Sequence, residues 1–224
     1  MNYTLIQKII QKDWYFQRFA ILGVLIAGTV ALGLISLPNE TWSGAGSILL
    51  ITVLITFGAL LATSTVIAER SSHTLPFLMS LPISVKDYTV AKIVGNLLLF
   101  CAPWLTLLIA SIVVITTRPN LPDGLVAYSL VMLTELLVNY CLLLCVSLIT
   151  ESTGWSVTFI LIGNLIYQAF LFGVSSLPSV RSVINQPSIA WNSTFSLVLL
   201  LEIIVMVVLL GITFMVQFRK TDFV

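Results

Sequence analysis

Six stretches of this chain are apolar for long enough to cross a lipid bilayer, and that constraint precedes all others. A helix needs about 20 residues to span a hydrocarbon core ~30 Å thick, and its backbone must satisfy its own hydrogen bonds there because water is absent. The stretches run approximately from Phe19 to Leu37, Ile48 to Ala68, Ile93 to Ile115, Gly124 to Ile149, Ser156 to Val174 and Leu197 to Val216. Of 224 residues, 58% are hydrophobic and only 8% charged, with mean hydropathy +1.10, against roughly 25% charged in a soluble domain. The expected architecture is therefore all-α: a polytopic membrane protein with six transmembrane helices in one domain, 1–224, and no room for a soluble domain. The short alternating strands of a membrane barrel are missing from the pattern. The first stretch is too long for a signal peptide and no small-residue cleavage site follows it.

Positive residues are retained on the cytoplasmic side of short loops. With the N-terminus inside, Lys8, Lys12, Arg18, Arg70, Lys86, Lys92, Arg219 and Lys220 face the cytoplasm, and only Arg118 and Arg181 face out. Both termini are thus expected to be cytoplasmic, in a plasma membrane (bacterial inner or cytoplasmic). No basic stripe with interleaved aromatics points to nucleic acid. Residues 1–18 read as an N-terminal interfacial helix, with Leu5, Ile6, Ile9 and Ile10 at helical spacing and Gln7, Lys8, Gln11, Lys12 and Asp13 opposite, followed by the anchors Trp14, Tyr15 and Phe16. The same period also fits a simple continuation of the first span. The outer segment from Ser175 to Ser196 is either a plain loop or short helices dipping into the outer leaflet.

Several intramembrane polar residues are candidates for a translocation path or for helix interfaces. Glu135 falls about 11 residues into the fourth expected span, roughly 16 Å along it at ~1.5 Å per residue, and Asn139 follows at i+4, where the two can share a hydrogen bond or face a neighbouring helix. A carboxyl at that depth is either functional or a protonated interhelical tie. Glu202 sits a few residues into the sixth span and is expected to remain hydrated. Thr52, Thr56 and Thr63 share a small-residue stripe with Ala59; Asn164, Tyr167 and Gln168 form a polar patch on the fifth span. Such stripes serve close helix packing or line a cavity. Cys101, Cys141 and Cys145 lie within spans and are expected to pack as small apolar groups. His73 lacks companions for a metal site. The sequons at Asn39 and Asn192 fall in outward loops.

The one long polar interruption, Glu69 to Lys92, lies between the second and third spans. Pro76 and Pro82 break it, with Ser84 placed to cap a helix from Val85 and Asp87 in its first turn. Leu75, Phe77, Leu78, Met79 and Leu81 make an apolar knob, suited to a groove on another protein or to dipping into lipid. The order Glu69-Arg70, small polar residues, Thr74-Leu75, then Leu78-Met79-Ser80-Leu81-Pro82-Ile83-Ser84, and Ala91-Lys92 opening the next span resembles the first cytoplasmic loop of permeases of the ABC transporter type 2 exporter family. The span count and the long last outer loop resemble that family too. His73 departs from it, standing where a small residue is common.

The resemblance implies that the segment is a cytoplasmic coupling helix seated on a separate ABC ATPase subunit, with Glu69, Arg70, Thr74, Leu75, Leu81, Pro82, Lys86 and Lys92 as coupling residues. It implies a second permease, the same or a homologous chain, and membrane lipid as further partners, and an export function for an amphipathic, peptide, lipid or drug-like substrate. No cofactor is then bound by this chain. ATP and magnesium belong to the partner, in keeping with the lack of a Gly-rich phosphate loop here. Three other readings compete: a proton-coupled secondary carrier or channel using Glu135, an intramembrane enzyme, and an immunity or assembly protein that sequesters a partner. The enzyme has least support, since no nucleophile has a His partner at membrane depth.

Overall fold

A computed structural model describes residues 3–68, 85–150 and 152–219. These residues contain no strand, and six of their helices are long and apolar enough to cross a membrane. They are α1 (Tyr3–Ile35), α2 (Glu40–Leu61, continued by a π-helical turn, Ala62–Ile67), α3 (Val85–Thr117), α4 (Leu125–Thr150), α5 (Thr153–Ser176) and α7 (Ser193–Arg219). A short α6 (Pro178–Ile184) joins α5 to α7. The antiparallel succession puts the start of α1 and the end of α7 at one end of the bundle, called here the terminal end, and α6 at the other.

Of the two readings of the N-terminal residues, a separate interfacial helix or a continuation of the first span, the structure has the continuation: one helix of 33 residues, ~50 Å long at 1.5 Å per residue. The physical reason is that Ile6 and Ile9 are buried against Ala91 near the start of α3, with Ile10 and Val90 beside them. Gly95 of α3 leaves room for Ile10, 3.3 Å from where a Cβ would stand. The apolar face of the N-terminal segment is thus covered by protein, and α1 and α3, both 33 residues long, run past the other helices together.

α4 is the central helix, with 72% of its most apolar stretch buried against 17% for α5 and 11% for α7. It packs on α3, α5, α7 and α2. A stack of Phe57, Phe100 and Tyr140, with ring centroids 6.0 Å and 4.1 Å apart, joins α2, α3 and α4, and Trp104 Nε1 donates to the Leu133 carbonyl at 2.6 Å. At the other end, Val180 and Val183 of α6 are buried against Ala127, Val131 and Phe195. The segment between α5 and α7 therefore contains a short helix packed on the bundle. Both sequon asparagines work as helix caps: Asn39 accepts from the Thr41 N–H at 2.9 Å and Asn192 from the Phe195 N–H at 3.0 Å.

The backbones of α1 and α2 approach closely at Gly46, where a Cβ would lie 2.7 Å from both the Ala31 carbonyl oxygen and the Ile35 nitrogen. Backbone cannot swing aside as a side chain can. Gly46→Val is expected to force the helices apart and destabilise the bundle by about 1–3 kcal/mol, measured as a lowered thermal midpoint in detergent, whereas Gly33→Ala, with open space around it, leaves the midpoint unchanged.

Candidate functional site

α4 and α7 run side by side in the same direction. They are tied toward the terminal end by the Cys145 thiol, 3.3 Å from the Leu209 carbonyl, and by a hydrogen bond from Gln217 Nε2 to the Leu148 carbonyl. Glu135 comes 10 residues after Leu125, and Glu202 comes 9 residues after Ser193, about 15 Å and about 14 Å along their helices. The two carboxyls therefore reach the same depth in adjacent helices. On the other flank of α4, the Asn139 side chain donates to the Gly163 carbonyl of α5 at 2.7 Å. Only glycine permits this approach, because a Cβ at residue 163 would sit 2.3 Å from Asn139 Oδ1.

Both α5 and α7 lean on α4, and a cleft of about 390 Å³ remains between them, with Glu135, Asn139, Gly163, Ile166, Glu202 and Val205 on its lining. Glu135 is 7% exposed and Glu202 4%. Neither oxygen of Glu202 has a hydrogen-bond partner among the described residues, and the same holds for the hydroxyl of the fully buried Tyr167. The expectation that Glu202 remains hydrated is thus corrected: packing of α7 against α4 takes its carboxyl out of contact with solvent.

An acidic side chain at the centre of a bilayer costs about 2.5–3.5 kcal/mol even by insertion measurements, and a buried polar group without a partner adds about 1–3 kcal/mol. A purely structural tie would have satisfied these atoms. What the cleft offers chemically is acceptors in an apolar setting, able to hold a proton, a cation or a hydrogen-bond donor. Among the described residues no three His, Cys, Asp or Glu side chains gather as a metal site.

Of the eight intramembrane candidates, the structure brings Glu135 and Asn139 to one cleft and packs Tyr167 close by. Asn139 does not bond to Glu135; it bridges to α5. The patch expected on α5 divides, because Tyr167 turns inward, Gln168 outward, and Asn164 donates to the Ile160 carbonyl of its own helix at 2.9 Å. Thr52 and Thr56 line a separate shallow groove between α1 and α2. Thr63 lies in the π-helical turn and donates back to the Ala59 or Leu60 carbonyl. Glu69, Arg70, Thr74, Leu75, Leu81 and Pro82 lie outside the described residues. Lys86 is exposed, its ammonium 5.7 Å from the Phe218 ring.

Lys92, expected at the cytoplasmic side and as a coupling residue, is fully enclosed by protein, 0% exposed, with its ammonium 2.8 Å from Asp13 Oδ2. Lys12 reaches the other oxygen of Asp13 at 3.4 Å. This pair opens a polar network at the terminal end that sequence reasoning missed. Asn96 donates to the Lys92 carbonyl at 2.9 Å; the Thr65 hydroxyl lies 2.7 Å from Asn96 Oδ1; the Tyr140 hydroxyl lies 3.2 Å from the Asn96 carbonyl. Gln17 donates to Ser64 at 2.7 Å. Helices α1 to α4 are all engaged, and the π-helical turn supplies Ser64 and Thr65. The available signal was an acidic residue and a lysine of opposite charge at the same end of two long helices.

Comparison with protein-family models, with characterised proteins and with solved structures yields no match to this chain.

Lys92→Met is expected to destabilise the protein by about 3 kcal/mol, the lower end for breaking a buried pair, because Lys12 still reaches Asp13. Thermal unfolding in detergent checks this, and Lys86→Met in the same assay is expected to change little.

Proposed function

We propose that this chain is the membrane-spanning permease subunit of an ATP-driven exporter, working with a separate ABC ATPase and a second permease. Its substrate is amphipathic: a peptide, a lipid or a drug-like molecule. The observation that supports a transport role is the pairing of Glu135 with Glu202 at one depth in a cleft of small-molecule size, with both Glu202 oxygens unpartnered among the described residues, since sites for such ligands occupy ~300–1,000 Å³. The energy source rests on the Glu69 to Lys92 segment and its resemblance to a coupling helix.

In this reading ATP-driven closure of the partner pushes the segment before α3. The push acts on the start of α3, which Lys92 and Asp13 tie to α1 and which Asn96 and Tyr140 link to α4. Since α4 also carries Glu135 and Asn139, movement at the terminal end alters the cleft. Each state needs differential contacts for this to work, and a polar network with alternative partners is suited to supply them.

The same pair gives specific support to a second reading, a proton-coupled carrier whose relay includes Glu135 and Glu202. The two readings diverge on the partner. The full chain is expected to capture an ABC ATPase in detergent, and Glu69→Arg with Leu81→Asp to lose it while keeping the wild-type elution volume. No capture by either protein would move the carrier ahead.

A further inference from the structure

The cleft between α5 and α7 joins two acidic groups to apolar walls. Ile166, Leu201 and Val205 on its rim are 46%, 51% and 43% exposed. It therefore opens sideways, between two helices whose outer faces are largely uncovered, toward the region where hydrocarbon would lie. Inside it, Glu202 is buried with both oxygens unpartnered among the described residues. Glu135 faces the same space from α4, and Phe170 adds an aromatic wall.

Among the described residues no Lys or Arg lines the cleft beside these groups. α4 and α5 contain neither Lys nor Arg, and α7 has only Arg219 in its last turn. The lysines and arginine of α1 and α3, Lys8, Lys12, Arg18, Lys86 and Lys92, stand in the halves nearest the terminal end. A second copy pressed against the cleft would meet it with the same distribution and would bring no positive group to this depth. A positive group at this depth would have to come with a ligand, and the sideways opening suits one that is already dissolved in the membrane.

We infer that the cleft binds an amphiphilic cation entering from the lipid, its positive group between Glu135 and Glu202 and its apolar body along Ile166, Phe170 and Val205. This rests on the permease reading, of which it names the substrate class. Opposite charge in a low-dielectric cleft gains more than in water, and the aromatic wall favours a quaternary ammonium. Anionic amphiphiles of the same length are rejected by the same carboxyls.

The test is equilibrium binding of dodecyltrimethylammonium, dodecyl sulfate and dodecyl maltoside to the full chain in phosphatidylcholine nanodiscs. The ammonium compound is expected to bind saturably, and the other two not. Glu202→Gln and Glu135→Gln, which preserve shape, are each expected to weaken it about tenfold or more, ~1.4 kcal/mol per factor of ten. Val205→Trp, which narrows the cleft without altering charge, is expected to weaken it as well, with helicity and elution volume unchanged in all three. Equal binding of the three amphiphiles, or undiminished ammonium binding in the double variant E135Q/E202Q, would overturn the inference. So would a change in copy number in Glu202→Gln with ammonium binding intact, since a second copy would then be what covers the cleft. No ATPase takes part, so failure here counts against the ligand alone, whereas failure to capture an ATPase counts against the permease reading.

Discussion

A helix enclosed by apolar neighbours on nearly every side has no polar surface to spare, and α4 is that helix in this bundle. Its contacts with α2, α3, α5 and α7 join it to four of the other long helices. Against that background its polar residues stand out. Asn139 and Tyr140 are each spent on a neighbouring helix, the first on the Gly163 carbonyl and the second on Asn96. Glu135 is spent on none of these ties and shares its depth with Glu202. An apolar pair in their place would pack without the penalty of acidic groups in hydrocarbon, so their presence calls for a role beyond holding helices together.

The terminal end solves a related problem in the opposite way. There the buried charge is matched: Lys92 has Asp13 at 2.8 Å, and Asn96 links that pair to the π-helical turn and to Tyr140. Buried pairs of this sort add little net stability compared with apolar packing, but breaking one is expensive. The network thus fixes the register of α1 against α3 more than it strengthens the fold. A π-helical turn within such a network is common at functional sites, and here it lies on α2 where that helix approaches the Glu69 to Lys92 segment.

Much of the fold was legible because hydropathy over about 20 residues reports a physical requirement of the bilayer. All six spans are helices of the structure, with ends displaced where protein contacts outweigh composition. The pattern of residues 3–18 suited a separate interfacial element and a continuation of the span equally; burial of Ile6 and Ile9 against Ala91 accompanies the continuous helix, and nothing local to that segment encodes the partner. Glu135 was legible as an isolated charge in an apolar run. Its pairing with Glu202 was not, because adjacency of α4 and α7 is a tertiary fact; counting residues from the α6 end of each helix would have placed both at the same depth. The enclosure of Lys92 was not legible, because a lysine at a span boundary is usually drawn to the headgroups and its pairing with Asp13 depends on the approach of α1.

The measurement that bears most directly on this account is ATP-dependent uptake of an amphiphilic cation into inverted membrane vesicles containing this chain and the ABC ATPase proposed as its partner. The account predicts uptake that stops when the ATPase is inactivated, persists when a protonophore dissipates the proton gradient, and falls at least about tenfold, ~1.4 kcal/mol of lost stabilisation, in the E135Q/E202Q variant although the ATPase still associates. Uptake that survives ATPase inactivation, or that is indifferent to both carboxyls, would contradict it.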